Sequence, residues 1–413
     1  MARMTQINPG QPDRRVTYGD IFAVREYRAL WLAEVLSEAG DQLARVALSV
    51  LVFDRTGSAL LTGVTYAMTF LPWAVGGPLT AGLADRLPRR TLMIICDVVR
   101  ALMVVAVTLP GLPLWVMLLL LFVGGLFAPL FSSARAALIP HVLPDEDRYV
   151  VASAIDTTTI NAAQVLGFAI GGTVVALLGA RLSLLFDAAT FLASALVVAV
   201  GVRSRVAAKT KRTTRGLWAA DLRAGSVLVF GDHRLRKLVF LGWLCSFYVA
   251  PEALAAPYVH SQQAGPVAVG LLLAANPVGS TVGALVVGRF VSTPTRQRWM
   301  VPMAVLTGVP LMVCILQPGL TVTWLLWAAS GVFSAYNLVA NVEFALAVPD
   351  TNRGQAFGLV VSGMMVGQGV GLILAGLFAE YLSPMSVVAI AGLLTVLGAA
   401  SLVRPSDSRK SYG

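Results

Sequence analysis

The stretch ALWLAEVLSEAGDQLARVALSVLVF, Ala29 to Phe53, is long and apolar enough to cross a bilayer, yet it carries four ionisable residues. Glu34, Glu38, Asp41 and Arg45 follow at steps of four, three and four, which at roughly 100° per residue puts them within about 60° of arc on one helix face. The stripe is about 16 Å tall at 1.5 Å per residue, about half the hydrocarbon thickness of a membrane. Each charge at a bilayer centre costs on the order of 2.5 to 3.5 kcal/mol on insertion scales. Such a face must look at other protein or at a water-filled cavity, and an acid placed there is a candidate for moving ions or substrate. Asp41 and Arg45, one turn apart, are expected to form a fixed pair, which leaves Glu34 and Glu38 to take up and release protons.

The rest of the chain extends this reading. Of 413 residues, 57% are hydrophobic and 13% charged, against roughly 25% charged in soluble domains, so the chain reads as a polytopic membrane protein. Residues up to Arg28 hold no apolar run, so the first apolar segment is expected to be a retained span. Hydrophobic runs predict twelve helices. The first six lie near 29–53, 58–83, 91–109, 113–134, 152–178 and 182–202, and the second six near 237–259, 266–290, 299–316, 320–346, 354–381 and 384–403. Pro72, Pro78, Pro129, Pro251, Pro257, Pro277 and Pro310 fall inside spans and are expected to mark bends. The domain plan is a polar segment 1–28, a six-helix bundle 29–202, a basic linker 203–236, a second bundle 237–403 and a tail 404–413. The linker carries Lys209, Lys211, Arg212 and Arg215, and its Leu217, Trp218, Leu222, Val227 and Phe230 could form an amphipathic helix or belong to a solvated tether.

Net charge is +10, which in a soluble protein would suggest nucleic acid. Here the basic residues lie in alternate loops and at the termini. Apart from Arg45 and Arg100 inside spans, only Arg55 and Arg181 fall on the other side. That positive-inside pattern predicts two cytoplasmic termini and no nucleic-acid partner. Cys96, Cys245 and Cys314 stand singly in apolar runs, so neither a disulfide framework nor a metal site is expected. There is no phosphate loop, Walker sequence or nucleophile elbow, which argues against an enzyme and against ATP coupling.

The two halves repeat. Leu143-Pro-Asp-Glu-Asp-Arg148 returns half a chain later as Val348-Pro-Asp-Thr-Asn-Arg353, and Gly171 lands on Gly376 at the same offset. Each half holds an even number of spans, so the repeats keep one membrane orientation. The expected fold is therefore an all-α membrane protein with twelve transmembrane helices in two parallel-repeat six-helix bundles and a site between them.

A family becomes visible in the turn after the second span, Ala81-Gly-Leu-Ala-Asp85-Arg86-Leu-Pro88-Arg89-Arg90. It resembles the signature loop of the major facilitator superfamily, Gly-x-Leu-x-Asp-Arg-x-Gly-Arg-Arg, with Ala81 and Pro88 departing from its glycines. The resemblance implies that Asp85, Arg86, Arg89 and Arg90 latch the two halves on the cytoplasmic side in the outward-open state. Asp97 and Arg100 on the third span could pair locally, or the arginine could meet a first-span carboxylate, and a clamp tied to the same loop is preferred for them. Gly167-Phe168-Ala169-Ile170-Gly171-Gly172 is similar to the Gly-Pro-x-x-Gly-Gly element of drug antiporters, with Phe168 in the proline position. Small residues there also suit a helix-packing face. Tyr27-Arg-Ala-Leu-Trp31, Gly40-Asp41, Thr56-Gly-Ser-Ala59, Asp97-Val-Val-Arg100, Ala134-Arg-Ala-Ala-Leu138 and Phe186-Asp-Ala-Ala-Thr-Phe191, in this order, resemble the branch of macrolide-efflux proteins and the enterobactin exporter.

The resemblance implies a monomeric secondary transporter of the bacterial inner membrane. It would export amphipathic small molecules by alternating access, driven by the proton gradient with no bound cofactor, and touch membrane lipid. A siderophore or lipid-like anion exporter is the alternative within transport, and a non-transporting sensor or assembly protein on the same fold is the alternative outside it. Candidate cavity residues are Asp156, Asn161, Gln164, Trp243, Phe247, Tyr248, Tyr336, Asn337, Asn341, Met364 and Gln368, with Met365 beside them, against the plain alternative of helix packing. Asp187 is expected to hold packing on the sixth span and Glu343 to be structural, while Glu252 is the other polar feature of the second half.

Overall fold

The computed structural model describes residues 16–76, 87–205, 217–349 and 352–402. Twelve long helices emerge. They are α1 Arg25–Thr56, α2 Ala59–Gly76, α3 Arg89–Val107 and α4 Leu114–Val142, followed by the segment Glu146–Gly201, then α7 His233–Ser261, α8 Pro266–Phe290, α9 Thr293–Leu316, α10 Leu320–Ala347, α11 Arg353–Ala379 and α12 Pro384–Ser401. The long segment divides at Gly179, whose φ of 77° and ψ of 159° suit a residue without Cβ, into α5 (146–178) and α6 (180–201). The chain reverses there. Tyr27 on α1 touches Ala152 at the start of α5, and Ala29 approaches Gly201 at the end of α6.

Turn chemistry divides the molecule into two ends. Among the described residues every positive φ, at Gly57, Gly111, Gly179, Gln263 and Gln317, sits in a tight turn at one end, here the turn end. The spacing from Gly57 to Gly111 equals that from Gln263 to Gln317, so the half-chain repeat appears in the backbone as well. At the opposite, terminal end lie residues 16 and 402 and the linker. There the linker folds as a helix, Leu217–Gly231, packed on α11 with Val229 fully buried, while Val227 is exposed. Helix ends are satisfied by side chains: Ser58 accepts from Leu61 N–H, and Asp232 from Arg234 and Leu235 N–H.

Prolines bend some spans and not others. α2 is interrupted at 68–70 ahead of Pro72, α4 at Leu126 ahead of Pro129, and α7 at Leu244 and Val249 ahead of Pro251. In each case the proline has no N–H for the carbonyl one turn earlier. Pro257, Pro277 and Pro310 lie in continuous helix, against the expectation of a bend, and Pro78 is outside the described residues.

The first six helices and the last six form separate bundles that meet through α2 with α11 and α5 with α8. These are equivalent pairs under the repeat. A Cβ on Gly376 would lie 2.6 Å from the Ala59 carbonyl oxygen, and one on Gly172 would lie 2.6 Å from that of Pro266. Such close approach needs glycine. The part of α7 after Val249 reaches α1 and α2 of the first bundle as well as α8, α11 and α12, whereas the part before it packs on α10, α11 and α12. Glu380, just past α11, accepts hydrogen bonds from the Ser58 hydroxyl (2.7 Å) and the Leu60 N–H (2.9 Å) of α2. The close backbone contacts between bundles thus gather at the turn end.

Candidate functional site

The acids of α1 fall into different surroundings, each set by another helix. Glu34 is buried beside Arg135 of α4 (3.4 Å), whose guanidinium also holds Asp156 of α5 at 2.7 Å and donates to the Leu30 carbonyl. Tyr27 adds a hydroxyl to Asp156 at 3.1 Å. Asp41 takes Arg100 Nη2 on both carboxylate oxygens, at 2.5 and 2.6 Å, and Arg100 Nη1 donates to Ser37. The pair expected between Asp41 and Arg45 does not form. Arg45 instead lies over the Phe70 ring at 5.4 Å. α3 crosses α1 so that Arg100 reaches both Asp41 and Ser37, and two charge-assisted bonds from a buried guanidinium outcompete one pair along the helix. Glu34 is likewise not a free acid, because it shares Arg135 with Asp156.

Arg135 is the functional residue the sequence reading passed over. Hydropathy ends the fourth span at residue 134, but α4 runs on to Val142, so Arg135 lies inside a long helix as Arg45 and Arg100 do. The signal was present: one arginine inside the run Ala134 to Leu138.

One cavity inside the first bundle gathers Glu38, Asp41, Arg45, Arg100 and Asp187 between walls that include Trp73 and Phe191, around about 850 Å³ of empty space, open solvent included. Glu38 accepts from Gln42 at 2.5 Å. Asp187 is 1% exposed, and neither of its carboxylate oxygens has a hydrogen-bond partner among the described residues. It lines the cavity rather than only holding packing. Gly40 makes room for it, since a Cβ there would overlap Asp187 and Thr190. Arg100 also lies over the Phe191 ring at 4.1 Å.

Of the residues expected to latch the halves, Arg89 and Arg90 are bonded within the first bundle in this state. Arg89 donates to the Ala137 carbonyl at 2.5 Å and Arg90 to the Ala199 carbonyl, so both cover exposed carbonyls in the last turns of neighbouring helices of their own bundle. Asp97 accepts from Ser194 of α6 at 2.6 Å, and Arg100 belongs to the Asp41 cavity. Neither acts as a terminal-end clamp here, because each is drawn to a polar group inside the first bundle. Asp85 and Arg86 lie outside the described residues. Gly167 and Gly171 pack on Gln42 and Leu43 of α1, and Gly172 faces the other bundle.

In the second bundle, Trp243 donates to the Val360 carbonyl (3.1 Å) and the fully buried Tyr336 to that of Leu241 (3.0 Å), so both tie helices together. Asp156 is held against Arg135. Asn337 donates to Tyr248 at 2.6 Å. Tyr248 and Gln368 line a smaller cavity that also holds Glu252. Phe247, Asn161 and Asn341 are exposed, and Gln164, Met364 and Met365 are half-buried. Glu343 is held by Arg234 (2.8 Å) and Gln297 (2.5 Å), a structural tie between α7, α9 and α10. Among the described residues no group of three or more His, Cys, Asp or Glu could hold a metal ion.

The family model described as Major Facilitator Superfamily matches residues 30–254 and 238–412. The multidrug efflux pump Tap of Mycolicibacterium fortuitum is 25% identical over 80% of this chain and 83% of its own length. Macrolide efflux protein A of Streptococcus pyogenes is 23% identical over 90% and 93%. A bacterial homologue of the human lysosomal transporter Spinster, solved in an inward-facing and unoccupied conformation, superposes with a TM-score of 0.71 at 15% identity over 94% of this chain and 97% of that one.

Proposed function

This chain belongs to the Major Facilitator Superfamily, and from that premise we propose that it exports amphipathic small molecules in exchange for protons. A multi-pass membrane transporter is what the family and the fold make it, not an enzyme. The exchange is carried by the acid-lined cavity of the first bundle. Asp41 already has its counter-ion in Arg100. Glu38 and Asp187 have no cation within ion-pair distance among the described residues, so a proton is the counter-ion left to them. Burying a bare carboxylate costs several kcal/mol, and a proton or a cationic cargo relieves that cost in turn. Such an alternation is what exchange requires.

Close contacts gathered at the turn end, together with exposed Asn161 and Asn341 far from it, support a state open toward the terminal end. With the termini in the cytoplasm of a bacterium, that state faces inward. Rocking of the two bundles about the contacts between α2 and α11 and between α5 and α8 would expose the cavity on the other side. A neutral or cationic cargo is favoured over an anion, because Arg100 is committed to Asp41 and three carboxylates face two arginines in the cavity.

The test is proton release on addition of cationic, neutral and anionic hydrophobic compounds to purified protein in weak buffer. The parent should release protons with cationic compounds, and Glu38→Gln or Asp187→Asn should abolish the release while binding persists. Release with anionic compounds alone would replace this reading by an anion exporter. Ligand binding with no release from any compound would end the proton-coupled reading.

A further inference from the structure

The second bundle encloses a cavity of about 580 Å³, open solvent included, that the charged machinery of the first does not use. It lies among α7, α8, α10 and α11, with Leu311 of α9 at one wall. Three of its polar atoms, Glu252 Oε2, Gln368 Oε1 and Trp327 Nε1, are shielded from solvent and have no hydrogen-bond partner among the described residues. Two are acceptors, one of them on a carboxyl group, and the third is an indole N–H donor. Neighbouring polar side chains are already engaged, Tyr248 by the Asn337 amide and Asn337 by the Ser334 carbonyl. Apart from Asn276 and Cys245, the rest of the lining is apolar or aromatic, including Leu272, Leu273 and the almost fully buried Trp327. Glu252 feels the charge of Arg45 from the first bundle, but no ion pair forms between them. Tyr66, also from the first bundle, is within electrostatic reach of it and has its own hydroxyl unpartnered.

A ligand that completes this pocket must bring hydrogen-bond donors, a positive charge and an apolar body. An anion would meet Glu252, and a polyol would bring no charge to balance it. We propose that the pocket between Glu252 and Gln368 is an ammonium site, which receives the protonated amine of an amphipathic cargo and seats its apolar part against Trp327 and the leucines. This deepens the export reading and rests on it only for the amine's being cargo. The first bundle keeps the proton-exchanging acids Glu38 and Asp187, and Glu252 gives the cargo's amine a further carboxylate to meet in the second.

The test uses the purified full chain and two probes of nearly equal shape, 1-naphthylmethylammonium and uncharged 1-naphthalenemethanol, by equilibrium dialysis at neutral pH. A charge-assisted hydrogen bond in a buried site predicts a preference of about tenfold or more for the ammonium. Glu252→Gln should erase the preference and leave alcohol binding within about threefold. Glu252→Asp should keep part of the preference, which guards against a variant that fails to fold, and Gln368→Leu should reduce it. Glu38→Gln should retain the full preference while losing ligand-driven proton release, so the two readings fail separately. A parent that binds both probes equally, or a preference untouched by Glu252→Gln and Gln368→Leu, would overturn the ammonium site. A preference that depends on Glu252, with no vesicle uptake of the amine, would support the pocket and remove the export reading.

Discussion

The two bundles share one fold but fill their interiors with different chemistry. In the first, buried charges are tied across helices: Glu34 and Asp156 to Arg135, and Asp41 to Arg100. In the second, apart from Glu343 held by Arg234, the corresponding work is done by neutral groups. Tyr258 meets the Thr323 hydroxyl at 3.0 Å and donates to the Pro318 carbonyl, Tyr336 donates to Leu241, and Ser330 donates to the Thr307 carbonyl at 2.8 Å. Neutral hydrogen bonds hold a shape at small cost per group. Charged networks hold it only while every member is present, and they can change state when one proton moves. The two halves of the repeat have thus diverged, the first holding a charged interior and the second a more neutral one around Glu252, with Glu343 paired to Arg234.

The widest gap between the bundles should appear on removing a single polar group from each. Arg135→Met leaves two buried carboxylates without their cation and should cost about 3 to 5 kcal/mol, seen as a large fall in melting temperature or loss of monodisperse protein in detergent. Adding Glu34→Gln and Asp156→Asn should recover most of it. If Arg135→Met is harmless, the first bundle is not a charge-dependent interior. At the seam, Gly172→Val pushes a side chain toward the Pro266 carbonyl and Gly270, an overpacking cost of about 2 kcal/mol. Disulfide yield between Ser58→Cys and Glu380→Cys should fall in that background, whereas an unchanged yield would mean the bundles are not held together there.

In the second bundle Tyr336→Phe removes one neutral hydrogen bond and should cost about 1 kcal/mol, a few degrees of melting temperature. A loss as large as that of Arg135→Met would erase the distinction between the halves. The smallest effect belongs to Glu380, which lends a charge of the second bundle to the N-terminus of α2. Hydrogen bonds from the Leu60 N–H and the Ser58 hydroxyl hold its carboxyl below the ordinary value of 4.5. A group depressed in the folded protein adds stability above its unfolded value and loses it as pH falls through the folded one. Glu380→Gln should therefore cost about 0.5 kcal/mol at neutral pH, and the difference from the parent should vanish in acid well below pH 4.5. A difference that grows on acidification would reverse the sign argued here.

Most of the architecture was legible in the sequence because spans obey one-dimensional rules. The eighth, Pro266–Phe290, begins and ends where hydropathy and its leading proline put it, and the amphipathic run after 216 is a helix. The stripe on α1 was equally legible, since periodicity fixes which residues share a face. Its partners were not. Arg100 and Arg135 reach α1 from α3 and α4, and the angle at which helices cross is set by packing that no spacing along one chain encodes. The same limit hid Asp187, placed in the cavity by Gly40 on another helix, and it sent Arg89 and Arg90 to nearby carbonyls instead of across to the other bundle.

Gly179 makes a mechanical linkage of two observations. It joins α5 to α6 with a single residue and no slack. Gly172, the contact with α8, and Asp187, in the acid-lined cavity, stand on opposite arms of this elbow, each about 11 Å from its tip at 1.5 Å per residue. Arms of nearly equal length put the fulcrum of the bundles and Asp187 at one depth. Under the rocking proposed above, a rotation of α5 about its contact with α8 would drag α6 with it and carry Asp187 along with the seam.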